Sequence, residues 1–339
     1  MRAISLSDVK SIEIVDIPEP QMGPKDVLIE VHYVGLCGSD LNAYRGGFPL
    51  LTYPRILGHE VSGIIADKGS DVPETLDIND RVMVSPYTNC GVCPACRAGR
   101  PNCCQFNQTL GLQRDGVLTS RFAIHHSKVY TSPSLSLEEL ALVEPLSVGY
   151  HATNRGRVTE IDTVLVIGCG TIGVGAVAAA ARKGATVLVA DVDEGKLQTA
   201  RKFGAHTTID AAREDVLTAI KDLTNGEGVD VAIEAVGLPA TFRQAVEAVS
   251  YAGRVVYIGY AKQEVCYDTV HFVRKELDIM GARNALRVFP AVIKMMERHE
   301  FPFTDLVTGI YRFEETAAAL RDWDAASGQI TKLLIHVAS

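Results

Sequence analysis

No part of this 339-residue chain approaches the ~20 consecutive apolar residues that cross a bilayer; the nearest is the alanine-rich run from Ile172 to Ala181. A membrane span is not expected. Positive charge is also scarce: 33 Lys and Arg against 41 Asp and Glu leave a formal net charge of -8, with no basic face in view. Nucleic-acid binding needs such a face for its phosphates, so it is not expected either. Internal repeats and low-complexity tracts are absent, and the expected ligand is small. The first residues, MRAISLSDVK, show neither a charged start leading into an apolar stretch nor a small-residue cleavage pattern, and a cytoplasmic, reducing setting is expected. What the chain does have is length for two domains of ordinary size, 47% hydrophobic residues and eight cysteines.

Four of those cysteines, Cys90, Cys93, Cys96 and Cys104, share one short loop with CxxCxxCx7C spacing. Zn2+ takes four thiolates in a tetrahedron, and gaps this short let one loop present all of them. Two disulfides are the alternative, but they need an oxidising compartment that nothing else in the sequence suggests. Cys103 is adjacent to the set and out of register, so it is left unassigned.

From Ile4 to about Val143 the chain is punctuated by Gly and Pro and carries short alternating runs, such as Val27 to Val31 and Arg81 to Val84. This texture reads as β-rich. Near Glu144 it changes to apolar strands (Thr163 to Ile167, Thr186 to Ala190) alternating with helical stretches (Ile172 to Lys183, Glu194 to Phe203). Strands at Val229 to Glu234 and Arg254 to Gly259 follow, with a helix over Pro239 to Val249 between them. The alternation predicts parallel strands with crossover helices. A helix near Phe289 to Arg298 and a last strand at Thr331 to Val337 have no place in that unit and are assigned to the first domain.

The strand Thr163 to Ile167 runs into Gly168-Cys169-Gly170-Thr171-Ile172-Gly173, a GxGxxG turn opening a helix. The glycines serve a tight turn, close approach of backbone to a pyrophosphate, and close helix-to-strand packing. The N–H groups and dipole of the helix N-terminus favour phosphate. Asp191 closes the next strand, near the ~20-residue distance expected of an acid that binds ribose hydroxyls. A carboxylate there repels a 2′-phosphate, so NAD is expected rather than NADP. Lys196 either lies along the adenosine ribose or is a solvated helix lysine. Val236, Ile258 and Gly259 follow later strands, where small or apolar residues let nicotinamide approach the carboxyl edge of the sheet.

Cys37, in GLCGSD, and His59 with Glu60, in GHEVSG, offer sulfur, nitrogen and oxygen donors from two glycine-flanked turns. That mixture suits a catalytic zinc with one position open. Glu144, in EPLS, is a further oxygen donor that either ligates the metal or holds its water. Tyr44, Phe48 and Leu110 are either pocket walls or core.

These motifs fall in the order and separation of the zinc-dependent medium-chain dehydrogenases, which the chain resembles over essentially its whole length. EPLSVG (Glu144 to Gly149) and DGVLTSRF (Asp115 to Phe122) are most similar to the sorbitol dehydrogenase branch and its sugar-acid relatives of the L-galactonate and L-idonate type. The resemblance implies an α/β fold with a GroES-like β-rich catalytic domain (1–145 and 282–339, with a structural-zinc lobe at about 88–106). A Rossmann domain with a doubly wound parallel sheet (146–281) interrupts it. It further implies two zincs per chain. Cys37, His59 and either Glu60 or Glu144 hold the catalytic one; the four lobe cysteines hold the other.

The implied reaction moves hydride from a secondary alcohol of a polyol or sugar acid to NAD, leaving the ketone. Ser39 resembles the hydroxyl that passes the alcohol proton towards solvent, its alternative being a turn-stabilising serine. Where many relatives carry a histidine to pass that proton on, this chain has Asn42, so the relay is expected to run through water, a cofactor hydroxyl or Glu144. Arg283 and Asn284 lie where such relatives present substrate contacts; Arg283 could equally pair with an acid or a cofactor phosphate. A homodimer or homotetramer is implied. The competing readings are threonine dehydrogenase, simple alcohol dehydrogenase, a non-catalytic NAD-binding sensor, and a quinone reductase that would need neither the lobe nor the GHE triplet.

Overall fold

The computed structural model describes residues 1–48, 51–326 and 328–338. They form two compact units: one of Met1–Glu144, Phe289–His299 and the residues from Phe303 onward, the other of Pro145–Val288 and Glu300–Pro302.

The first unit opens with strands β1 (Arg2–Asp8), β2 (Ser11–Asp16) and β3 (Asp26–Leu36), helix α1 (Gly38–Tyr44), and strands β4 (Arg55–Ile56), β5 (Glu60–Lys68) and β6 (Arg81–Val84). A single turn, α2 (Pro94–Arg97), lies within the cysteine loop, and β7 (Arg121–His125) and β8 (Val129–Thr131) follow. Helix α3 (Leu137–Arg155) contains the boundary between the units. The second unit then alternates β9 (Thr163–Ile167), α4 (Thr171–Arg182), β10 (Thr186–Asp191), α5 (Glu194–Lys202), β11 (Thr207–Asp210), α6 (Val216–Leu223), β12 (Val229–Glu234), α7 (Pro239–Ala248), β13 (Val249–Tyr257), α8 (Val270–Arg274) and β14 (Asp278–Gly281). The first unit is completed by α9 (Phe289–Met296), β15 (Val307–Arg312), α10 (Thr316–Ala325) and β16 (Lys332–His336). No helix among the described residues is long and apolar enough to cross a membrane.

In the first unit a three-stranded sheet, β2-β1-β4, accompanies a seven-stranded one ordered β15-β16-β3-β5-β6-β8, with β7 also paired to β3. Alternation along β3 buries Val27, Ile29 and Val31, and a register shift between Val31 and Tyr33 moves the inward position to Val34. One face of the strand therefore feeds a core shared with Ile4, Leu6, Val61, Ile65, Val82 and Leu118. Tyr44 and Leu110 belong to that core and Phe48 packs against it.

The sheet of the second unit is parallel throughout, ordered β11-β10-β9-β12-β13-β14. Val164 to Ile167 in β9 are all buried, as a strand covered on both faces must be, which is why it reads as an unbroken apolar run. The chain starts in the middle at β9, walks out to β11, then crosses to β12 on the other side. The order reverses between β9 and β12, the place where such sheets open a crevice at their carboxyl ends.

Two details differ from the sequence pattern. β13 runs Val249–Tyr257 rather than Arg254–Gly259, because Val249 pairs with Val229 across a register shift, while Ile258 and Gly259 turn their N–H groups to the Glu234 carbonyl at 2.9 and 3.3 Å. The chain also leaves the second unit after Val288 rather than after residue 281. The Ala282 N–H donates to the Tyr257 carbonyl at 2.9 Å, and Ala282, Ala285 and Val288 are buried.

Candidate metal centres and dinucleotide turn

Two neighbouring strands, β3 and β5, deliver the first donor set, and β16 beside β3 brings its charge partner. Cys37 follows the last residue of β3, Glu60 opens β5 opposite Gly35, and Lys332 opens β16 beside the pair Leu333 and Leu36. The ligand atoms of Cys37, His59 and Glu60 all lie within 4.8 Å of one another. Gly35 makes room: a Cβ there would stand 2.2 Å from Glu60 Oε2. Glu144 is buried nearby but is not one of the mutually close donors; its Oε1 accepts the Tyr87 hydroxyl.

Charge around this set is balanced by buried partners. Lys332 Nζ, 3% exposed, donates to both oxygens of Glu60 at 2.8 and 2.6 Å and to the Leu36 carbonyl at 3.0 Å. Burial opposes its charge, but Glu60, Cys37 and Glu144 together outweigh that and hold the ammonium above its ordinary range. Asp40 Oδ2 accepts the Cys37 N–H at 2.9 Å, fixing the turn that presents the thiol. Its other oxygen stands 3.7 Å from His59 Nδ1, a little long for a hydrogen bond. Burial raises the Asp40 carboxyl, although His59 pulls it back. Burial opposes a charged His59, yet Asp40 and then Cys37 lift the imidazole well above its usual value. Burial first, then the Glu60 charge, raises the Glu144 carboxyl to about 7, against the pull of His59 and Tyr87. Burial and then Glu144 also push the Tyr87 phenol far up.

Ser39 Oγ, Asp40 Oδ1 and His59 Nδ1 are buried and have no hydrogen-bond partner. Orphaned polar atoms are costly, and a cluster of them around sulfur, nitrogen and oxygen donors fits a cation at this position. With Nδ1 turned to Asp40, the opposite ring nitrogen is left for the metal, the arrangement that orients histidine ligands. Asn42, by contrast, is engaged in local structure: its Nδ2 donates to the Gly47 carbonyl at 3.0 Å.

The second donor set is the loop Cys90, Cys93, Cys96 and Cys104, again within 4.8 Å of one another. All eight cysteines are free. Cys93 Sγ and Cys104 Sγ are 3.9 Å apart, too far for a disulfide and near the ~3.8 Å edge of a tetrahedron with Zn–S of ~2.3 Å. The Cys93 N–H donates to Cys90 Sγ and the Cys90 N–H to Cys104 Sγ, each at 3.3 Å. Backbone N–H groups, led by those of Cys96 and Gln105, pull the Cys93 thiol down to about 6. Burial and the Cys93 sulfur push Cys96 up to about 11, and a bound dication would favour its thiolate. Cys103 stays outside the set, its sulfur 3.7 Å from the Arg100 guanidinium.

The glycine-rich turn lies in the second unit, between β9 and α4. Gly168 has φ +90°, and a Cβ there would stand 2.5 Å from Val236 Cγ2. A Cβ on Gly173 would stand 2.0 Å from the Gly168 carbonyl oxygen. One on Gly170, which caps α4, would meet nothing within 4 Å. The first and third glycines are thus needed by the chain itself, and the middle one leaves open the space a pyrophosphate uses. Thr171 and Ile172 begin α4 behind it. Asp191 ends β10, Oδ2 accepting the Cys169 N–H at 2.7 Å and Oδ1 the Asp193 N–H at 3.1 Å, which aims the carboxylate at the turn. Lys196 is half-buried in the first turn of α5, capped by Asp193. Val236, 44% exposed, Ile258 and Gly259 sit where β12 and β13 end. Arg283, exposed, and Asn284, with φ +52°, lie on the turn after β14.

Sequence reasoning missed Asp40, Tyr87, Glu234 and Lys332. Lys332 has a signal, a lone lysine at the head of an apolar strand, and Asp40 stands three residues from Cys37 as a reciprocal cap would. Glu234, fully buried, accepts the Val236 and Gly237 N–H groups and the Thr241 hydroxyl at 2.7–2.9 Å, holding the turn after β12. Nothing in the spacing marks Tyr87.

A four-thiolate lobe, a mixed three-donor centre and a dinucleotide turn together define a zinc dehydrogenase. Residues 23–134 match the alcohol dehydrogenase GroES-like domain and residues 171–298 match the zinc-binding dehydrogenase family. Sorbitol dehydrogenase of Bacillus subtilis is 36% identical, over 99% of this chain and 97% of that protein. L-galactonate-5-dehydrogenase of Escherichia coli is 32% identical, over 86% and 88%. Among solved structures, a zinc-binding dehydrogenase of Sinorhizobium meliloti bound to NADP has a TM-score of 0.92 at 27% identity, and the RspB alcohol dehydrogenase of Escherichia coli CFT073 complexed with NADH one of 0.91 at 27% identity; each comparison covers 99% of both chains. The chain belongs to the zinc-type medium-chain alcohol dehydrogenase family. It is an oxidoreductase acting on CH–OH groups, with relatives that act on polyols and sugar acids.

Proposed function

We propose that this enzyme oxidises a secondary alcohol of a polyol or sugar acid to the ketone, with NAD as the hydride acceptor. One observation carries the reading: the Cys37, His59 and Glu60 donors lie within 4.8 Å of one another beside the orphaned Ser39 hydroxyl. Zinc bound there supplies the Lewis acidity that lowers the pKa of an alcohol, and NAD accepts hydride from its carbon. Cys37, His59 and Glu60 hold the metal, Asp40 orients His59, and Lys332 balances the Glu60 charge. Ser39 takes the alcohol proton, which leaves as the third product beside ketone and NADH. Glu144 contributes its charge and a proton-accepting oxygen from outside the donor set.

Gly168, Gly170, Thr171, Ile172 and Gly173 receive the pyrophosphate, with Lys196 along the adenosine side and Val236, Ile258 and Gly259 on the nicotinamide side. Asp191 supports NAD over NADP, since its carboxylate faces the turn from the end of β10. Arg283 and Asn284 are proposed substrate contacts, Arg283 for a carboxylate. The free cysteines are in keeping with a cytoplasmic setting. A homodimer or homotetramer is also proposed: β14 is the outer strand of its sheet, Ile279 on it is 38% exposed, and Val270 and Val273 on the preceding α8 are 60% and 85% exposed.

The test is a metal assay together with a panel of hexitols, pentitols and aldonates, each run with NAD and NADP. Two zincs per chain and NAD-dependent turnover of a polyol or aldonate are expected. Full activity with the lobe zinc alone, or turnover confined to simple alcohols or threonine, would sink the proposal.

A further inference from the structure

We propose that Tyr87 is a positioning residue for the reactive metal centre, through which the cysteine lobe sets the orientation of Glu144. The inference rests on the reading of Cys37, His59 and Glu60 as a metal site. The Tyr87 hydroxyl donates to Glu144 Oε1, gripping one oxygen of a buried carboxylate whose charge is felt by His59. The Tyr87 ring lies nearly parallel to that of Phe289, with centroids 6.5 Å apart and planes 20° from parallel, and Phe289 packs on Tyr130 at 5.2 Å. A phenol braced this way has little freedom beyond rotation of its O–H.

The backbone around Tyr87 is tied to the lobe on both sides. The Leu110 N–H donates to the Pro86 carbonyl at 3.1 Å, and the Gln108 N–H donates to Thr88 Oγ1 at 2.7 Å. These bonds join the segment entering the lobe to the segment leaving it, and the Cys90 N–H to Cys104 Sγ bond, 3.3 Å, continues the join to the thiolate cluster. Tyr87 sits between the two ties. A carboxylate gripped at one oxygen presents the other in a set direction, and loss of the phenol removes that grip. The lobe thereby acquires a task at the reactive centre, performed through one hydroxyl.

The experiment uses the full chain with Zn2+ in the lobe and Co2+ at the Cys37 centre. Tyr87→Phe keeps the ring and its stacking, so two metals per chain are retained. The expected result is a shift in the visible Co2+ bands, with chelator-driven metal release faster than in the wild type. Thr88→Val, nearly the same shape and outside the Cys37 centre, is expected to move both readouts the same way by less. In the Tyr87→Phe background it is expected to add nothing, since both changes act through one contact. An unmoved spectrum and release rate in Tyr87→Phe would overturn the inference, as would a Thr88→Val effect undiminished in that background. Wild-type protein that takes up only the lobe metal would overturn both this inference and the metal-site reading; two metals with an unmoved Tyr87→Phe variant would overturn this one alone.

Discussion

Lys332 and Glu60 form a buried pair in which stability meets the proposed metal site. Each is close to fully buried, and the lysine meets both carboxylate oxygens. Removing one member of such a pair leaves an uncompensated charge, at a cost of about 3–5 kcal/mol. Lys332→Met is therefore expected to destabilise the metal-free protein by about that amount, measured by denaturant unfolding. Zinc beside Glu60 would restore a positive neighbour, so adding Zn2+ should stabilise the variant more than the wild type. An equal gain in both would separate Glu60 from the metal. Four lone-pair sites on a carboxylate let Glu60 accept Lys332 and still ligate. In the lobe, Cys104→Ser is expected to lower the metal count from two to one and to reduce thermal stability, because binding energy at a closed thiolate site is folding energy.

At the scale of elements, the glycine-rich turn separates what folding needs from what the ligand needs. Gly173→Ala drives a methyl to within 2.0 Å of the Gly168 carbonyl oxygen and must displace α4 from β9. Gly170→Ala adds its methyl in open space, at φ -72° and ψ -175°, backbone that alanine adopts without strain. The expectation is unchanged melting for Gly170→Ala with NADH affinity down by about tenfold or more, which is about 1.4 kcal/mol. Gly173→Ala should lose both, as followed by NADH fluorescence titration and thermal unfolding. The same elements show where patterning sufficed. β9, β12 and β6 fall on the residues the apolar runs predict, because buried parallel strands and alternating edge-to-core strands leave strong periodic signals. β13 begins earlier than its pattern because Val249 pairs with Val229, while Ser250 to Ala252, half-buried or exposed and with Ala252 at φ +57°, lie in the register shift that follows.

For the whole molecule, the unpaired side of β14 is the feature with consequences for assembly. An outer strand with exposed apolar neighbours is a template for pairing with another chain unless covered. Ile279→Lys is expected to shift the protein towards monomers in light scattering, with the two-zinc content intact; an unchanged mass would remove β14 from the interface.

Local spacing was enough for the lobe thiolates, the GxGxxG turn with Asp191, and the presence of a mixed donor centre. The lobe thiols come from one loop and the glycine-rich turn from one strand-turn-helix, where neighbours in sequence are neighbours in space, whereas Cys37 meets His59 and Glu60 through the pairing of β3 with β5. The partners of the reactive centre were settled by long-range packing. Lys332 reaches Glu60 across 272 residues and Tyr87 reaches Glu144 across 57, the first a contact that exists because β16 pairs with β3. Which side chains balance a buried charge is a matter of what else the fold brings within hydrogen-bond reach, and a one-dimensional pattern holds no record of that until strands have chosen their neighbours.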